Sequence, residues 1–156
     1  VRSRIGLEAK AVVLKPTDNA YALFAQTYFD HNAVIVDECQ FLTEAQVDQL
    51  AQIVIDYDIP VFCYGLSTDF TTHLFEGSRR LFEIAESITE IKSVCRCGKK
   101  ATVNARIDNK GNVVFSGEQV VLGGNDRYVP MCRKCWLEEK AKQEKAAADK
   151  AKDKNK

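Results

Sequence analysis

Val34-Ile35-Val36-Asp37-Glu38-Cys39-Gln40-Phe41 is an apolar, β-branched run that stops at two adjacent carboxylates. Buried parallel strands have this composition, and open α/β sheets bind ligands outside the carboxyl ends of such strands. Successive strand residues project to opposite faces. Asp37 and Glu38 are therefore expected to serve different partners, one a metal on a phosphate and the other a second substrate. The run is a candidate Walker B strand of a nucleotide-dependent enzyme.

The flanking sequence alternates as an α/β fold requires. Residues 11–14 predict a short strand, and 16–19 a turn with Thr17 or Asp18 as helix cap. Tyr21, Leu23, Phe24, Tyr28 and Phe29 give residues 20–30 one apolar helical face. Thr43-Glu44-Ala45-Gln46 is a capping box, with Thr43 at the N-cap and Gln46 reaching back. Losing that cap costs roughly 1 kcal/mol. Val47, Leu50, Ala51, Val54 and Ile55 are the expected buried stripe. Asp58-Ile59-Pro60 ends the helix, and 61–66 is the next strand. Residues 33–66 thus read as a βαβ unit with parallel strands and a right-handed crossover. Residues 67–77 form a loop at the sheet edge of Asp37, followed by a helix over 78–85 and a strand over 87–94.

The pattern changes at Cys95. Residues 100–107 and 112–115 predict a hairpin joined by Asp108-Asn109-Lys110-Gly111, and 116–129 a longer loop. Around them stand two close cysteine pairs, Cys95-Arg96-Cys97 and Cys132-Arg133-Lys134-Cys135. Four thiolates on two short knuckles suit a closed tetrahedral zinc site with structural duty. Cys39 and Cys63 lie elsewhere and read as small buried residues. His31 and His73 read as exposed or hydrogen-bonded, since four cysteines already complete the zinc shell. Arg4, Arg79 and Arg80 read as surface residues. Beyond Trp136 the chain is almost only Glu, Lys, Ala, Gln and Asp, which predicts a solvated helix or disorder.

Composition bounds the function. The chain has 156 residues, 46% of them hydrophobic, enough for one domain and a small appendage. Lysine plus arginine equals aspartate plus glutamate at 22 each, which removes any global attraction to nucleic acid or membrane. No apolar stretch approaches spanning length, and no secretory signal is visible. Six cysteines without such a signal point to a reducing compartment, the cytoplasm. The start at Val1-Arg2-Ser3-Arg4 reads as mid-chain.

Four motifs occur in a specific order: Val-Asp-Glu-Cys-Gln-Phe (36–41), Tyr-Gly-Leu-Ser-Thr-Asp-Phe (64–70), a cysteine pair, then Gly-Gly-Asn-Asp-Arg-Tyr (123–128) with the second pair. Up to about Trp136 the chain closely resembles the type II (thymidine kinase 1-like) thymidine kinases, particularly bacterial ones. The resemblance implies an α/β RecA-like P-loop core with a parallel sheet, truncated at its start, and a small β-rich zinc-binding lasso domain. It divides the chain into a kinase core over 1–94, a lasso domain over 95–136 and a charged tail over 137–156. It implies transfer of the ATP γ-phosphate to the 5′-hydroxyl of thymidine, and of deoxyuridine too, using Mg2+ in deoxyribonucleoside salvage.

Residue by residue, Glu38 falls on the family's general base and Asp37 on the aspartate that holds magnesium, commonly through water. Cys39 and Gln40 complete the segment beside the ATP phosphates. Phe41, Leu66, Phe70 and Phe75 fall on the apolar lining of the thymine pocket. Tyr128 falls on the lasso tyrosine that touches the nucleoside. Gln119, Val120 and Val121 lie where lasso backbone groups pair with the base edge. Cys95, Cys97, Cys132 and Cys135 are the zinc ligands. The resemblance also implies a homotetramer and feedback inhibition by dTTP. Phosphoryl transfer, being mostly positioning and charge neutralisation, agrees with these residue types.

One departure is plain. The family's glycine-rich loop ending in Gly-Lys-Ser or Gly-Lys-Thr is absent from these residues, and the only Gly-Lys pair, Gly98-Lys99, sits in the zinc knuckle. The expectation for this stretch by itself is an inactive piece of an active parent. Three other classes stay open: another P-loop ATPase, a zinc-knuckle nucleic-acid module using Lys99, Lys100, Arg133 and Lys134, and a scaffold without chemistry.

Overall fold

The computed structural model describes residues 6, 8–27, 31–119 and 127–153, with side chains to residue 149. The elements in order are α1 (Ala20–Ala25), β1 (Val34–Val36), a 3-10 turn (Cys39–Phe41), α2 (Glu44–Tyr57), β2 (Val61–Cys63) and α3 (Glu76–Ile84). Then come β3 (Ser93–Val94), β4 (Lys100–Ala101), β5 (Val103–Ile107), β6 (Arg127–Met131) and α4 (Arg133–Asp153).

β1 and β2 pair in parallel, Val34 opposite Val61 and Val36 opposite Cys63, with α2 between them in sequence. This is the expected βαβ unit. Its helix begins where the capping box places it. Thr43 Oγ1 accepts from Gln46 N at 3.2 Å, and Gln46 Oε1 accepts from Thr43 N at 3.1 Å. Gln46 does more than cap. Its Nε2 donates to the carbonyls of Lys15 (2.7 Å) and Asp18 (3.1 Å), pinning the preceding turn to α2 and explaining the burial of an amide.

Val47, Leu50 and Ile53 are the buried seam of α2, while Ile55 is 73% exposed. Ile53 therefore replaces Ile55 in the expected stripe. At 100° per residue, Ile55 is carried away from the line that Val47 and Leu50 define. α1 is capped by Asn19, whose Oδ1 accepts from Ala22 N at 2.8 Å, and not by Thr17 or Asp18. Asp18 instead closes its own turn by accepting from Lys15 N. The expected helix over 20–30 is seen to Ala25, and residues 28–30 lie outside the described ones.

Several expected strands are shorter or missing. Residues 11–14 form none, with Val12 and Val13 about four-fifths exposed. The strand over 61–66 stops at Cys63, and that over 87–94 shrinks to Ser93–Val94. A strand extends only as far as a neighbour supplies ladder partners. The sheet is also packed on one face. Val34, Val36, Val61 and Cys63 meet the cluster of Ala20, Phe24, Cys39, Leu42, Val47, Leu50 and Ile53, whereas Ile35 is 71% and Phe62 48% exposed. β1 is therefore half-buried, not buried on both faces, because no described element covers that second face.

α3 starts two residues earlier than expected and sits directly on the 3-10 turn. A Cβ on Gly77 would lie 2.7 Å from the carbonyl oxygens of both Cys39 and Leu42, so only glycine permits this approach. Ser78 Oγ adds a bond to Leu66 O at 2.6 Å.

The second half has its own cluster: Cys95, Ala101, Val103, Ala105, Val113, Met131, Cys132, Cys135 and Trp136. The expected turn at 108–111 is present, with Asp108 Oδ1 accepting from Lys110 N and Asn112 N and Gly111 at φ 84°. The main partner of β5 differs. It pairs antiparallel with β6, from Val103–Met131 to Ile107–Arg127, while 112–115 contributes one bridge at Val113. The five-residue register with β6 offers more ladder bonds than a tight hairpin there. The tail is the solvated helix of the two expected states. Among the described residues no helix is long and apolar enough to cross a membrane.

Candidate functional site

Val36 is the last residue of β1, and both acids follow it. The backbone at the acids departs from the strand alternation expected. Glu38 adopts a left-handed conformation, φ 55° and ψ 38°, as it enters the 3-10 turn. A non-glycine residue there carries a cost that the surroundings must hold in place. They do so at both ends of the turn. Asp37 Oδ1 accepts from Glu38 N at 3.0 Å, and Cys39 N donates to Tyr64 O at 3.0 Å, tying the turn to the chain leaving β2. Both carboxylates are exposed.

Gln40 links the acid to the neighbouring loop. Its side chain is 2% exposed, and its Nε2 donates to Glu38 Oε2 at 2.5 Å while its Oε1 accepts from Leu66 N at 3.0 Å. The Glu38 carboxylate is thus held by a buried amide bonded at both its nitrogen and its oxygen. Gly65 makes room for it. A Cβ there would clash with Gln40 Oε1 and lie 2.7 Å from Cys39 Sγ and 3.0 Å from Cys39 N. Gly65→Ala is accordingly expected to displace Gln40 and Glu38 and reduce turnover about tenfold to a hundredfold, since small misplacements of reacting groups cost that much. Steady-state kinetics with a matched thermal melt check this. An unchanged kcat in a folded variant would show that Gln40 does not position the acid.

Beside this turn opens a cleft of about 270 Å³ lined by Pro16, Gln40, Phe41, Leu42, Thr43, Phe75, Glu76 and Gln119. Phe41 and Phe75 meet edge to face, centroids 5.7 Å apart at 82°. Phe41 is half exposed and Phe75 is buried, so the pair presents a flat apolar wall. Of the expected nucleoside-binding residues, the cleft brings together Phe41, Phe75 and Gln119. Leu66, 41% exposed, and Tyr128, 45% exposed on β6, do not line it. Phe70 is fully buried, with the Arg106 guanidinium 5.0 Å over its ring. Val120 and Val121 lie outside the described residues.

Arg79 and Arg80 are engaged on the surface by Glu44, and by Asp48 and Glu83, as expected of surface residues. His73 Nδ1 lies 2.8 Å from Thr71 Oγ1, and His31 packs near Phe24. Pro16, Gly65, Asp69 and Arg106 were not among the expected site residues, although Gly65 and Asp69 lie within the 64–70 motif and Gly65 carries the further signal of a glycine just after a strand, where backbones approach closely.

The four cysteine sulfurs lie within 4.8 Å of one another. Cys97 Sγ and Cys132 Sγ are 3.6 Å apart, close to the roughly 3.8 Å edge of a tetrahedron with 2.3 Å metal–sulfur bonds. The first knuckle is tight, with Gly98 at φ 80° donating to Cys95 O and Cys95 N bonded to Lys99 O at 2.8 Å. Gly98-Lys99 is part of that knuckle, as expected. Backbone N–H groups of Cys97 and Cys132 aimed at Cys95 pull its thiol down to about 6. Cys135 N likewise leads the lowering of Cys132. Hydrogen bonding to Cys132 pushes Cys135 up to about 12. Thiolates prepared by backbone donors are what a soft cation requires, so the group can hold a metal ion.

Known proteins resemble this chain over most of its length. The family model described as thymidine kinase matches residues 1–136. The thymidine kinase of Vibrio vulnificus (strain YJ016) is 46% identical over 140 residues, covering 88% of this chain and 73% of that protein. That of Listeria innocua is 46% identical over 136 residues, covering 86% and 71%. That of Zymomonas mobilis is 43% identical over 140 residues, covering 88% and 72%.

Proposed function

The chain belongs to the thymidine kinase family, and on that premise we propose how its residues phosphorylate thymidine from ATP. The observation that carries the reading is one juxtaposition. Glu38, fixed by Gln40, stands beside a cleft whose walls, Phe41, Phe75 and Gln119, come from three separate segments. An acid next to an aromatic-walled cleft of nucleoside size suits a hydroxyl nucleophile carried on a flat base.

The base stacks against Phe41 and Phe75, placing the 5′-hydroxyl toward the end of β1. Glu38 accepts the hydroxyl proton as the oxygen attacks the γ-phosphorus of ATP, and the bond from that phosphorus to the β,γ-bridging oxygen breaks to release ADP. Gln40 keeps that carboxylate aimed through its 2.5 Å bond. Asp37, on the other side of the bend, is the residue to hold Mg2+, which when bound neutralises the phosphate oxygens. Cys39 and Gln40 line the phosphate side of the turn. β1, α2 and β2 are read as part of a RecA-like P-loop core, the kinase core over 1–94. In the lasso domain over 95–136, Cys95, Cys97, Cys132 and Cys135 would hold Zn2+, which would serve a structural duty. Leu66, Phe70 and Tyr128 support the pocket from outside its wall. Val120 and Val121 belong to the same reading as base-edge partners. Acceptance of deoxyuridine, a homotetramer, dTTP as feedback inhibitor and a cytoplasmic setting complete it.

The test is direct. The intact protein with ATP, Mg2+ and thymidine is expected to yield dTMP, identified by mass, with thymidine preferred over deoxycytidine. ATP hydrolysis without a nucleoside monophosphate would favour a P-loop ATPase. Salt-sensitive oligonucleotide binding without thymidine binding would favour a nucleic-acid module.

A further inference from the structure

Asp69 is charged, yet only 7% exposed. It sits in a small hairpin between β2 and α3. Thr68 bridges Leu74 in antiparallel fashion, Asp69 N donates to His73 O at 2.9 Å, and Thr72 turns the chain at φ 75°. The Asp69 side chain knits this hairpin together. Its Oδ1 accepts from Thr71 N (2.8 Å), Thr71 Oγ1 (2.7 Å) and His73 N (3.0 Å). Its Oδ2 reaches out of the hairpin and accepts from Gln119 Nε2 at 3.0 Å, fifty residues away in sequence. Burial pushes the carboxyl up, but these donors outweigh it and hold the group below the usual carboxylate range. The bond to Gln119 is therefore charge-assisted.

The hairpin has further attachments. Phe70 is fully buried, with the Arg106 guanidinium 5.0 Å from its ring, and Arg106 Nη1 donates to Glu118 O at 3.2 Å. At the start of the hairpin, Leu66 N donates to Gln40 Oε1, and the same amide holds Glu38. At its end, Phe75 N closes on Ser67 O at 3.3 Å. Gln40, Phe75 and Gln119 all line the cleft, so three parts of one cleft hang on one hairpin.

Residues 118 and 119 are held at once. One bond fixes a position, and two bonds on successive residues also fix the direction in which the chain leaves. The bond to Gln119 engages its side chain alone, so the main-chain groups assigned to the base edge are not consumed by it. We infer that Asp69 is a positioning residue for thymidine binding: through the Gln119 side chain it sets the base-reading backbone against the hairpin that also fixes Gln40 and Glu38. A backbone ordered in advance need not be ordered by the nucleoside, a gain that appears in KM and not in kcat. This rests on the thymidine reading of the cleft.

The tether can be cut from either end. Gln119→Ala removes it and keeps the backbone of residue 119. It is expected to raise KM for thymidine about tenfold, with kcat and KM for ATP changed no more than about twofold. Asp69→Ala should raise KM for thymidine at least as much. In the double variant the loss should match that of Asp69→Ala alone, because the second substitution has no tether left to cut. Asp69→Asn is the rescue. Its carbonyl keeps the three donors of Thr71 and His73, its NH2 faces Gln119, and the Gln119 amide turns to accept, so KM should stay within about threefold of wild type. Amide exchange at residues 118 and 119 in nucleoside-free protein should quicken in both alanine variants and not in Asp69→Asn. Thermal melts identify any unfolded variant, and Gln119→Ala, which leaves the hairpin untouched, decides if Asp69→Ala fails to fold. An unchanged KM in Gln119→Ala overturns the inference, as do losses that multiply in the double variant, or a loss in Asp69→Asn as large as in Asp69→Ala. A wild-type protein that phosphorylates no thymidine removes the thymidine reading instead, and amide exchange at 118 and 119 still tests the tether.

Discussion

Glu38→Gln in the intact protein is expected to lower kcat for thymidine phosphorylation at least a hundredfold and leave ATP affinity within a few-fold. General-base removal costs about 10²–10⁴ in rate. The substitution is chosen because it isolates the proton acceptor from the geometry. Gln40 Nε2 donates to Glu38 Oε2, and an amide oxygen can take the same bond. The left-handed turn, with φ 55° at this residue, is as available to Gln as to Glu. Asp37 keeps its own bond to the backbone N–H of residue 38. What changes is the loss of a group able to receive the hydroxyl proton. Turnover measured at saturating thymidine and ATP, with nucleotide binding by calorimetry, separates the two effects. Near-normal kcat would refute the base assignment, and equal losses in kcat and ATP affinity would place Glu38 on the nucleotide instead.

How the two acids come to differ shows what the sequence could and could not reveal. The βαβ unit was legible because each of its signals is local: a β-branched run, a Thr43–Gln46 box, and a Pro60 stop. The duties of Asp37 and Glu38 were expected to diverge through strand alternation. The structure instead shows a left-handed conformation at Glu38, which no propensity singles out. Strand lengths were overestimated for a similar reason, since apolar composition persists past the last ladder partner. The clustering of the four cysteines was legible from spacing alone. The pairing of β5 with β6, over a loop of many residues, was not, because a good turn at 108–111 favours the nearer partner. Asp69 is the clearest case. It lies within the 64–70 motif, yet its bond to Gln119, fifty residues away, is not legible from that motif.

Zinc removal is the second large effect expected. Three of the four clustered cysteines are themselves among the nine buried residues of the second cluster, and the other six are mostly small. So little apolar area supports few kcal/mol of its own. Structural zinc supplies on the order of 10 kcal/mol, comparable with the whole stability of an ordinary domain. Purified protein should hold one zinc per chain. Cys132→Ser, or chelation, should unfold β5 and β6 while amide protection in β1, α2 and β2 survives, since those elements pack in a separate cluster. The chain carries a built-in reporter. Its single tryptophan, Trp136, is 5% exposed in the zinc-side cluster, edge to face with Phe115 at 5.1 Å. Its emission should shift to the red as zinc leaves. Cys39→Ser, outside the four-sulfur group, should leave both zinc content and emission unchanged. Protein with well under one zinc per chain, a blue-shifted Trp136 and an intact β5–β6 pair would overturn the structural role. The same experiment bears on base recognition. Gln119 follows β5 and its hairpin in the chain, so thymidine affinity should fall with the zinc while the β1 turn stays folded.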